Sequence, residues 1–217
     1  DQIAQPHVAA GPWVALAAMA VKTKPIKLGP VITPIARRRP WKLARETVTL
    51  DHLCRGRLIL GVGLGWNDAE FDTFGEDSRE KSRAEKLDEG LDVLTGLWSG
   101  ETFSYSGRHY SVRDAQFLPQ PYQRQRIPIW VCGAWPAKKE PFRRAAHWDG
   151  VVAICGTGED RAIWPEEIAD IKAYISNYRE IDQPFDIVVI LWSEGGHTPG
   201  DLLETRRPSS RHEHRLV

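Results

Sequence analysis

Short apolar runs alternate with amphipathic segments along this chain, and that rhythm limits its fold more than any other feature of the sequence. Five runs of seven or eight mostly apolar residues predict five buried strands. They lie at 26–33, 57–64, 127–133, 149–155 and 185–191. A strand, a helix and a second strand form a unit whose strands pair in parallel through a right-handed crossover. The sequence therefore predicts an α/β protein.

The segments between the runs carry apolar residues at helical spacing. The predicted helices cover 12–21, 40–54, about 78–98, 141–148 and 168–178. One segment differs, because residues 101–112 alternate on both sides of Ser106 and Gly107, which predicts an inserted hairpin. This order of elements fits either an open doubly wound sheet or a (β/α)8 barrel, and periodicity leaves both open.

The composition favours one globular domain without a strong electrostatic field. Of the 217 residues, 41% are hydrophobic, which is enough for one sizeable core. Lys and Arg together number 29, as do Asp and Glu, so the chain lacks the net charge that attracts nucleic acid or an anionic membrane. We therefore expect a small-molecule partner, with neither nucleic acid nor membrane. The predicted domain covers 1–196, and residues 197–217 form an irregular polar tail.

Neither an export signal nor a metal-binding spacing is found in the sequence. No run approaches about 18 apolar residues, and the first residues lack the basic flank and apolar core of a secretory signal, so a cytoplasmic location is expected. Cys54, Cys132 and Cys155 lie outside any C-x-x-C pair, which indicates neither a disulfide framework nor a zinc site. The His-Glu-His run at 212–214 lacks a third fixed ligand. No metal is predicted.

The stretch GRLILGVGLGW at 56–66 places glycines at alternate positions, Gly61, Gly63 and Gly65. A dinucleotide fingerprint requires G-x-G-x-x-G and an acidic residue at the end of the following strand, and neither is present. Glycines inside a strand mark the close approach of a ligand or of another backbone segment. Because ligands gather at the carboxyl ends of parallel strands, this stretch is predicted to form part of the floor of a site.

Charged residues near these elements are interpreted as solvated surface rather than as catalytic groups. The arginines at 37–39 follow the first strand and could reach a phosphate, but a solvated loop is the simpler interpretation. Glu46, Asp68 and Glu70 could supply the carboxylate pair of a glycosidase. Their positions on a helix and at a helix start favour capping and solvation instead.

Three stretches carry a family resemblance: RRRPWKLARETVTLDHLCRGRLILGVGLGWNDAEFDTFGED at 37–77, LPQPYQRQRIPIWVCGAWP at 118–136 and RRAAHWDGVV at 143–152. They resemble the bacterial luciferase-like superfamily of flavin- or deazaflavin (F420)-dependent oxidoreductases. The resemblance implies a TIM-type (β/α)8 barrel that binds FMN or F420 at the carboxyl ends of its strands. It also implies that the reduced cofactor activates O2 for monooxygenation or exchanges a hydride with a substrate, with NAD(P)H as a candidate reductant.

The family pattern also implies roles for individual residues. In the family, a non-prolyl cis peptide at the bulged end of a barrel strand backs the cofactor ring, and the matching bond here joins Pro30 and Val31. By the same match, the expected cofactor contacts are Thr33 near the ring edge, the backbone of Leu64 and Gly65, and Gly133 with Ala134 at the cofactor phosphate. Amide groups where a strand leads into a helix suit a phosphate.

Two of the three positions at the reactive centre, Gln2 and Trp66, depart from the family pattern. Asp1 and Gln2 stand where many members have Asp-His, and Gln cannot shuttle a proton. Trp66 stands where some relatives have Glu, and its indole could stack on the ring or wall the substrate pocket. These three are the candidate catalytic positions. The loss of titratable groups disfavours hydride transfer of the sugar-phosphate dehydrogenase type, so monooxygenation is the leading expectation.

The five predicted strands match barrel strands three to seven of the family. We therefore expect an incomplete barrel, either a fragment or one half of a complex, and a homo-oligomer or a complementing chain that covers the open sheet edges. Two other function classes stay open, a non-catalytic flavin-binding barrel and a cofactor-free TIM-barrel enzyme. The sequence gives no basis for choosing between FMN and F420 or for naming the substrate.

Overall fold

A computed structural model describes residues 11–66, 68–159, 161–180 and 183–190 of the chain. Five strands form one sheet, in which every neighbouring pair is parallel. In spatial order they are β1 (Thr33–Pro34), β2 (Leu60–Gly63), β5 (Ile129–Trp135), β6 (Gly150–Cys155) and β7 (Asp186–Val189). Two further strands, β3 (Thr102–Ser106) and β4 (Ser111–Gln116), pair with each other as a separate antiparallel hairpin.

Helices connect the strands of the sheet. They are α1 (Pro12–Lys22), α2 (Pro40–Leu53), α3 (Asp68–Thr73), α4 (Glu80–Trp98), α5 (Glu140–Ala145) and α6 (Pro165–Ser176), and a 3-10 turn covers Ile35–Arg37. Proline occupies the first or second position of four of them, where its missing N–H costs no hydrogen bond. Within the described ranges, no helix has the length and apolar character needed to cross a membrane.

The strands of the parallel sheet follow one another in space as they do along the chain. A doubly wound sheet reverses its strand order at a switch point, whereas a (β/α) barrel adds each strand beside the previous one. The sequential order therefore favours barrel winding, which periodicity alone had left open. The five predicted strands are confirmed, although only Thr33 and Pro34 of the predicted run 26–33 join the sheet, together with an isolated bridge from Leu28 to Leu58.

The two faces of the sheet differ in what covers them. Along β5, Ile129, Val131, Gly133 and Trp135 are buried, while Trp130, Cys132 and Ala134 on the other face are partly exposed. Helix α5 covers the buried face, where the Phe142 ring lies 4.9 Å from the Trp135 ring at a steep angle. Burying one such aromatic or aliphatic side chain contributes about 2 kcal/mol. The opposite face and the carboxyl ends of the strands are left for a site.

The predicted hairpin is confirmed and is tied to α4. One carboxylate, that of Glu89, accepts hydrogen bonds from the backbone N–H groups of Arg108, His109 and Tyr110 at 2.8 to 3.0 Å. The Phe103 ring packs where Gly96 has no side chain. The hairpin therefore stands outside the parallel sheet and leaves the strand order of the sheet unchanged.

The segment before β1 lies directly against β2. A Cβ atom on Gly29 would fall within 3.0 Å of the Ile59 carbonyl oxygen, and one on Gly61 within 3.0 Å of the Pro30 carbonyl oxygen. Gly61 therefore admits another backbone segment rather than a ligand. The non-prolyl cis peptide joins Val31 and Ile32, so the predicted Pro30–Val31 bond is wrong by one residue. Pro30 itself lies against Gly61, and the chain joins the sheet at Thr33, so the cis bond falls between these two contacts.

Candidate functional site

A cleft lies at the carboxyl ends of β2, β5 and β6 and has two lobes. The larger lobe has a volume of about 620 Å³ and extends over β6 to Ile190, and the smaller has a volume of about 330 Å³ and lies between β2, β5 and α4. Both lobes are lined by Ile32, Trp66, Cys132 and Ile154, so they form one continuous cleft. This is the edge at which parallel α/β sheets bind ligands.

The larger lobe is mainly apolar. Val31 projects into it from the bulge before β1 with 53% of its surface exposed. Ile163 and Ile190 line it from the far side, and Cys132 forms part of its wall. Burial raises the pKa of the Cys132 thiol to about 11, so this group is a neutral thiol near pH 7. The larger lobe therefore has an apolar wall against which a planar group could pack.

The charged residues of the larger lobe are already paired with one another. Arg161 donates to Glu159 at 2.6 Å and to both oxygens of Glu167 at 2.7 and 3.0 Å. These hydrogen bonds from Arg161 lower the pKa of both carboxyl groups. Glu159 and Glu167 are therefore carboxylates at neutral pH and cannot serve as proton donors there.

The smaller lobe contains a buried arginine of α4, Arg83, whose side chain is 5% exposed. Its Nη2 donates to the Asp68 carboxylate at 2.5 Å, and its Nη1 makes a long contact of 3.4 Å with the Gly65 carbonyl oxygen. Its Nε atom is buried and has no hydrogen-bond partner among the described residues. An unused donor on a buried cation is costly unless a ligand satisfies it, so this lobe is suited to an anion.

A second cation stands at the mouth of the smaller lobe. Lys138, in the turn after β5, pairs with Glu80 of α4 at 2.5 Å, and both side chains are about half exposed. Sequence reasoning missed both Arg83 and Lys138. For Arg83 the sequence did contain a signal of burial, because this residue immediately precedes the apolar stripe that begins at Ala84. In the fold, Arg83 is buried.

Most of the predicted cofactor contacts line this cleft. Leu64, Gly65, Trp66, Gly133 and Ala134 line the smaller lobe, and Trp66, 78% exposed, also borders the larger lobe. The structure brings these residues from β2 and β5 together as the resemblance implied. Their roles toward a cofactor stay predictions.

The other predicted site residues lie elsewhere. Thr33 is fully buried and lines neither lobe, so a direct contact with a ring edge would need a shift of the chain. Pro30 lines a separate cavity of about 190 Å³ toward the amino ends of the strands, with Gly61 and Trp130. Asp1 and Gln2 lie outside the described residues.

Gly133 has a structural reason to be glycine. A Cβ atom there would lie 2.8 Å from Pro141 and 2.9 Å from the Phe142 ring, because α5 packs closely on β5 at this point. No group of three or more His, Cys, Asp or Glu side chains that could hold a metal ion occurs in the part of the chain that the structure describes.

Two expectations about charged residues are corrected by burial. Arg37 is not solvated: its side chain is 4% exposed and pairs with Glu70 at 3.0 Å and Glu76 at 2.8 Å. Glu70 is 6% exposed and is not a solvated capping residue. From the local sequence, Arg37 and Glu70 are both expected to be solvated. The packing of α3 against the 3-10 turn instead buries the two side chains as an ion pair. Asp68, by contrast, is exposed as expected.

Sequence comparison relates the chain to known proteins. A sequence model of the luciferase-like monooxygenase family matches residues 3–192. The F420-dependent glucose-6-phosphate dehydrogenase of Microbacterium testaceum is 31% identical over 158 residues, which are 72% of this chain and 45% of that protein. The protein of the same name from Kineococcus radiotolerans is 34% identical over 152 residues, 69% of this chain and 42% of that protein. The chain thus spans less than half the length of these two relatives.

Solved structures share the fold. A monooxygenase from Streptomyces bottropensis matches with a TM-score of 0.63 at 27% identity, covering 82% of this chain and 53% of that one. The F420-dependent tetrahydromethanopterin reductase of Methanopyrus kandleri matches with a TM-score of 0.65 at 24% identity, and the match covers 82% of this chain and 53% of that one. The oxygenating constituent of 3,6-diketocamphane monooxygenase of Pseudomonas putida, in complex with FMN, matches with a TM-score of 0.67 at 21% identity. That match covers 81% of this chain and 50% of the other. These neighbours are TIM barrels, and the predicted partial barrel is confirmed.

Proposed function

Because this chain belongs to the luciferase-like monooxygenase family, we propose that it is the cofactor-binding part of an oxidoreductase that uses F420 or FMN in the carboxyl-end cleft. The observation that carries the proposal is the buried Nε of Arg83, an unused donor in the smaller lobe. Both F420 and FMN carry a phosphate, which would satisfy that donor. The names of the two curated relatives support F420, and the FMN complex of a structural neighbour supports FMN.

The residues present suit such a cofactor. Arg83 and Lys138 would hold the phosphate in the smaller lobe, next to the backbone of Gly65 and Ala134. Gly65 has a φ of +89°, a conformation that glycine adopts without strain and that leaves its backbone uncovered by a side chain. The bulge at Val31 and Ile32 would back the ring in the larger lobe.

The chemistry divides between the cofactor and the chain. When bound and reduced, the cofactor would supply a hydride to an organic substrate or, if it is FMN, the electrons that activate O2. The chain's own residues bind, orient and exclude water: the apolar wall of Val31, Ile163 and Ile190 lowers the local dielectric. Glu159, which lines this lobe, is held as a carboxylate by Arg161, so we propose monooxygenation rather than a step that needs a side-chain acid in this lobe. NAD(P)H as the reductant stays a prediction.

Cofactor titration tests the proposal. FMN and F420 are added separately to the chain, and binding is followed by cofactor fluorescence. We expect one of them to bind, and Arg83→Met to weaken that binding roughly 10- to 100-fold, since a hydrogen bond to a charged group contributes about 1.5–3 kcal/mol. Arg79→Met is the matched control, because Arg79 is the N-cap residue of α4, lies one turn before Arg83 and has a side chain that is 81% exposed.

The outcomes separate the alternatives. If the chain binds neither FMN nor F420, the proposed function is wrong for it. Binding followed by oxygen uptake faster than that of the free reduced cofactor supports monooxygenation. Binding with no oxygen uptake and no hydride transfer supports a non-catalytic flavin-binding barrel.

A further inference from the structure

The ring of Phe71 joins two buried arginines. The guanidinium carbon of Arg83 lies 4.7 Å from the ring centroid, and that of Arg37 lies 4.8 Å from the same centroid. Phe71 is 2% exposed, and a Cβ atom on Gly65 would touch its ring at 2.9 Å. Phe71 therefore contacts both elements of the smaller lobe that face the expected phosphate, the Gly65 turn and the Arg83 side chain.

Arg37 and Glu70 hold Phe71 from the side away from the cleft. Neither of the two lines a lobe, and their side chains are 4% and 6% exposed with a separation of 3.0 Å. Glu70 precedes Phe71 directly on α3, so the pair fixes the helix that carries the ring. In a buried, low-dielectric setting the electrostatic attraction between Arg37 and Glu70 is strong, so separating the two side chains is costly.

Besides the Phe71 ring, the Arg83 guanidinium has two polar contacts among the described residues. Its ion pair is with Asp68, a carboxylate that is 68% exposed and therefore screened by solvent. Its contact with the Gly65 carbonyl oxygen is long, at 3.4 Å. Asp68 and Phe71 both belong to α3, so the placement of Arg83 depends on the placement of this one short helix.

We propose that Glu70 and Arg37 are positioning residues for cofactor binding: acting through Phe71, they hold the Arg83 guanidinium ready for the cofactor phosphate. This inference rests on the proposed function. Pre-organising the donor avoids the cost of ordering an arginine side chain at the moment of binding. The effect should be confined to the phosphate, because neither residue lines the larger lobe, where the ring would lie.

The test compares a cofactor with its phosphate-free counterpart. FMN and riboflavin are titrated against the wild-type chain and against Glu70→Gln, or F420 and its phosphate-free deazaflavin chromophore if F420 is the cofactor. We expect Glu70→Gln to weaken binding of the phosphate-bearing form by roughly tenfold and to change binding of the phosphate-free form less than about twofold. Glu70→Asp, which keeps the charge, should restore part of the preference.

Glu76→Gln is the matched control. Glu76 pairs with the same arginine at 2.8 Å, but its side chain is 37% exposed and it lies beyond the end of α3. Its loss should leave the phosphate preference unchanged. If thermal melting shows that Glu70→Gln does not fold, Phe71→Leu tests the inference in its place. Phe74→Leu is the control for that variant, because the Phe74 ring lies 5.7 Å from the Arg37 guanidinium and belongs to no described contact with Arg83.

The possible results are distinguishable. If Arg83→Met removes the phosphate preference but neither Glu70→Gln nor Phe71→Leu reduces it, this inference is overturned while the proposed function stands. Equal losses for the phosphate-bearing and phosphate-free forms indicate a merely structural role and also overturn it. If the wild-type chain binds neither FMN nor F420, the proposed function itself fails, and this inference fails with it.

Discussion

Gly61 shows how one residue can set the shape of the site without touching a ligand. Its missing side chain lets the Pro30 carbonyl oxygen rest against β2, and the bulge at Val31 begins only after that contact. The clash of an added Cβ would be with backbone, which cannot rotate away. We expect Gly61→Ala to reduce the free energy of unfolding by about 2 kcal/mol or more, measured by urea denaturation.

Gly11→Ala is the control for this substitution. Gly11 has a φ of −59°, and no atom of the described residues beyond its chain neighbour lies within 4 Å of a Cβ atom built on it. We expect a change of less than about 1 kcal/mol, because only a weak N-cap preference is lost. If Gly61→Ala were no more destabilising than Gly11→Ala, the bulge would not depend on the close approach at position 61.

At the scale of elements, three backbone N–H groups of the hairpin depend on one carboxylate of α4, that of Glu89. Burial alone would raise the pKa of Glu89, but the backbone N–H groups of His109, Tyr110 and Arg108 outweigh it, and the net pKa lies below the ordinary glutamate value of 4.5. A depressed pKa in the folded state means that the stabilisation is complete above the unfolded-state pKa and is lost as pH falls through the folded-state value.

The pH dependence of stability therefore tests the hairpin anchor. We expect Glu89→Gln to be less stable than wild type at pH 7, and the difference in unfolding free energy to shrink as the pH is lowered from about 5 to 3. Denaturant melts at several pH values measure it. Asp114→Asn is a suitable control, because the hydrogen bond that this carboxylate accepts among the described residues comes from Ser104, within the hairpin. A pH-independent difference for Glu89→Gln would contradict the anchor.

At the scale of the molecule, the sheet has a protected centre and two less protected sides. Strands β5 and β6 are each paired on both sides, whereas β7 pairs only with β6 among the described residues. In hydrogen exchange followed by mass spectrometry, we expect Val131 and Val152 to exchange slowest and Ile187 to exchange roughly tenfold faster or more.

Equal protection of β7 and β5 would contradict this order. It would mean that another segment or chain covers the free edge of β7, as the sequence-based expectation of a homo-oligomer or a complementing chain requires. That expectation stays a prediction.

The sequence by itself determined the alternation of five strands with helices and the hairpin, because periodicity is a local property of each segment. The partial barrel followed only from the family resemblance, since periodicity left the doubly wound sheet open. Through the family resemblance, it also indicated Leu64, Gly65, Trp66, Gly133 and Ala134, which the structure brings into one cleft. Sequence reasoning can place such residues because strand ends in a parallel sheet meet at the same edge.

Only the tertiary structure decided which charges are buried and where the bulge lies. Arg37 and Glu70 appear solvated in the sequence, yet the packing of α3 buries them as a pair. Sequence reasoning missed Arg83, which lines the smaller lobe and whose buried Nε has no hydrogen-bond partner among the described residues. These properties depend on which segments, far apart in the sequence, come into contact in the fold. A local pattern of residues does not contain that information.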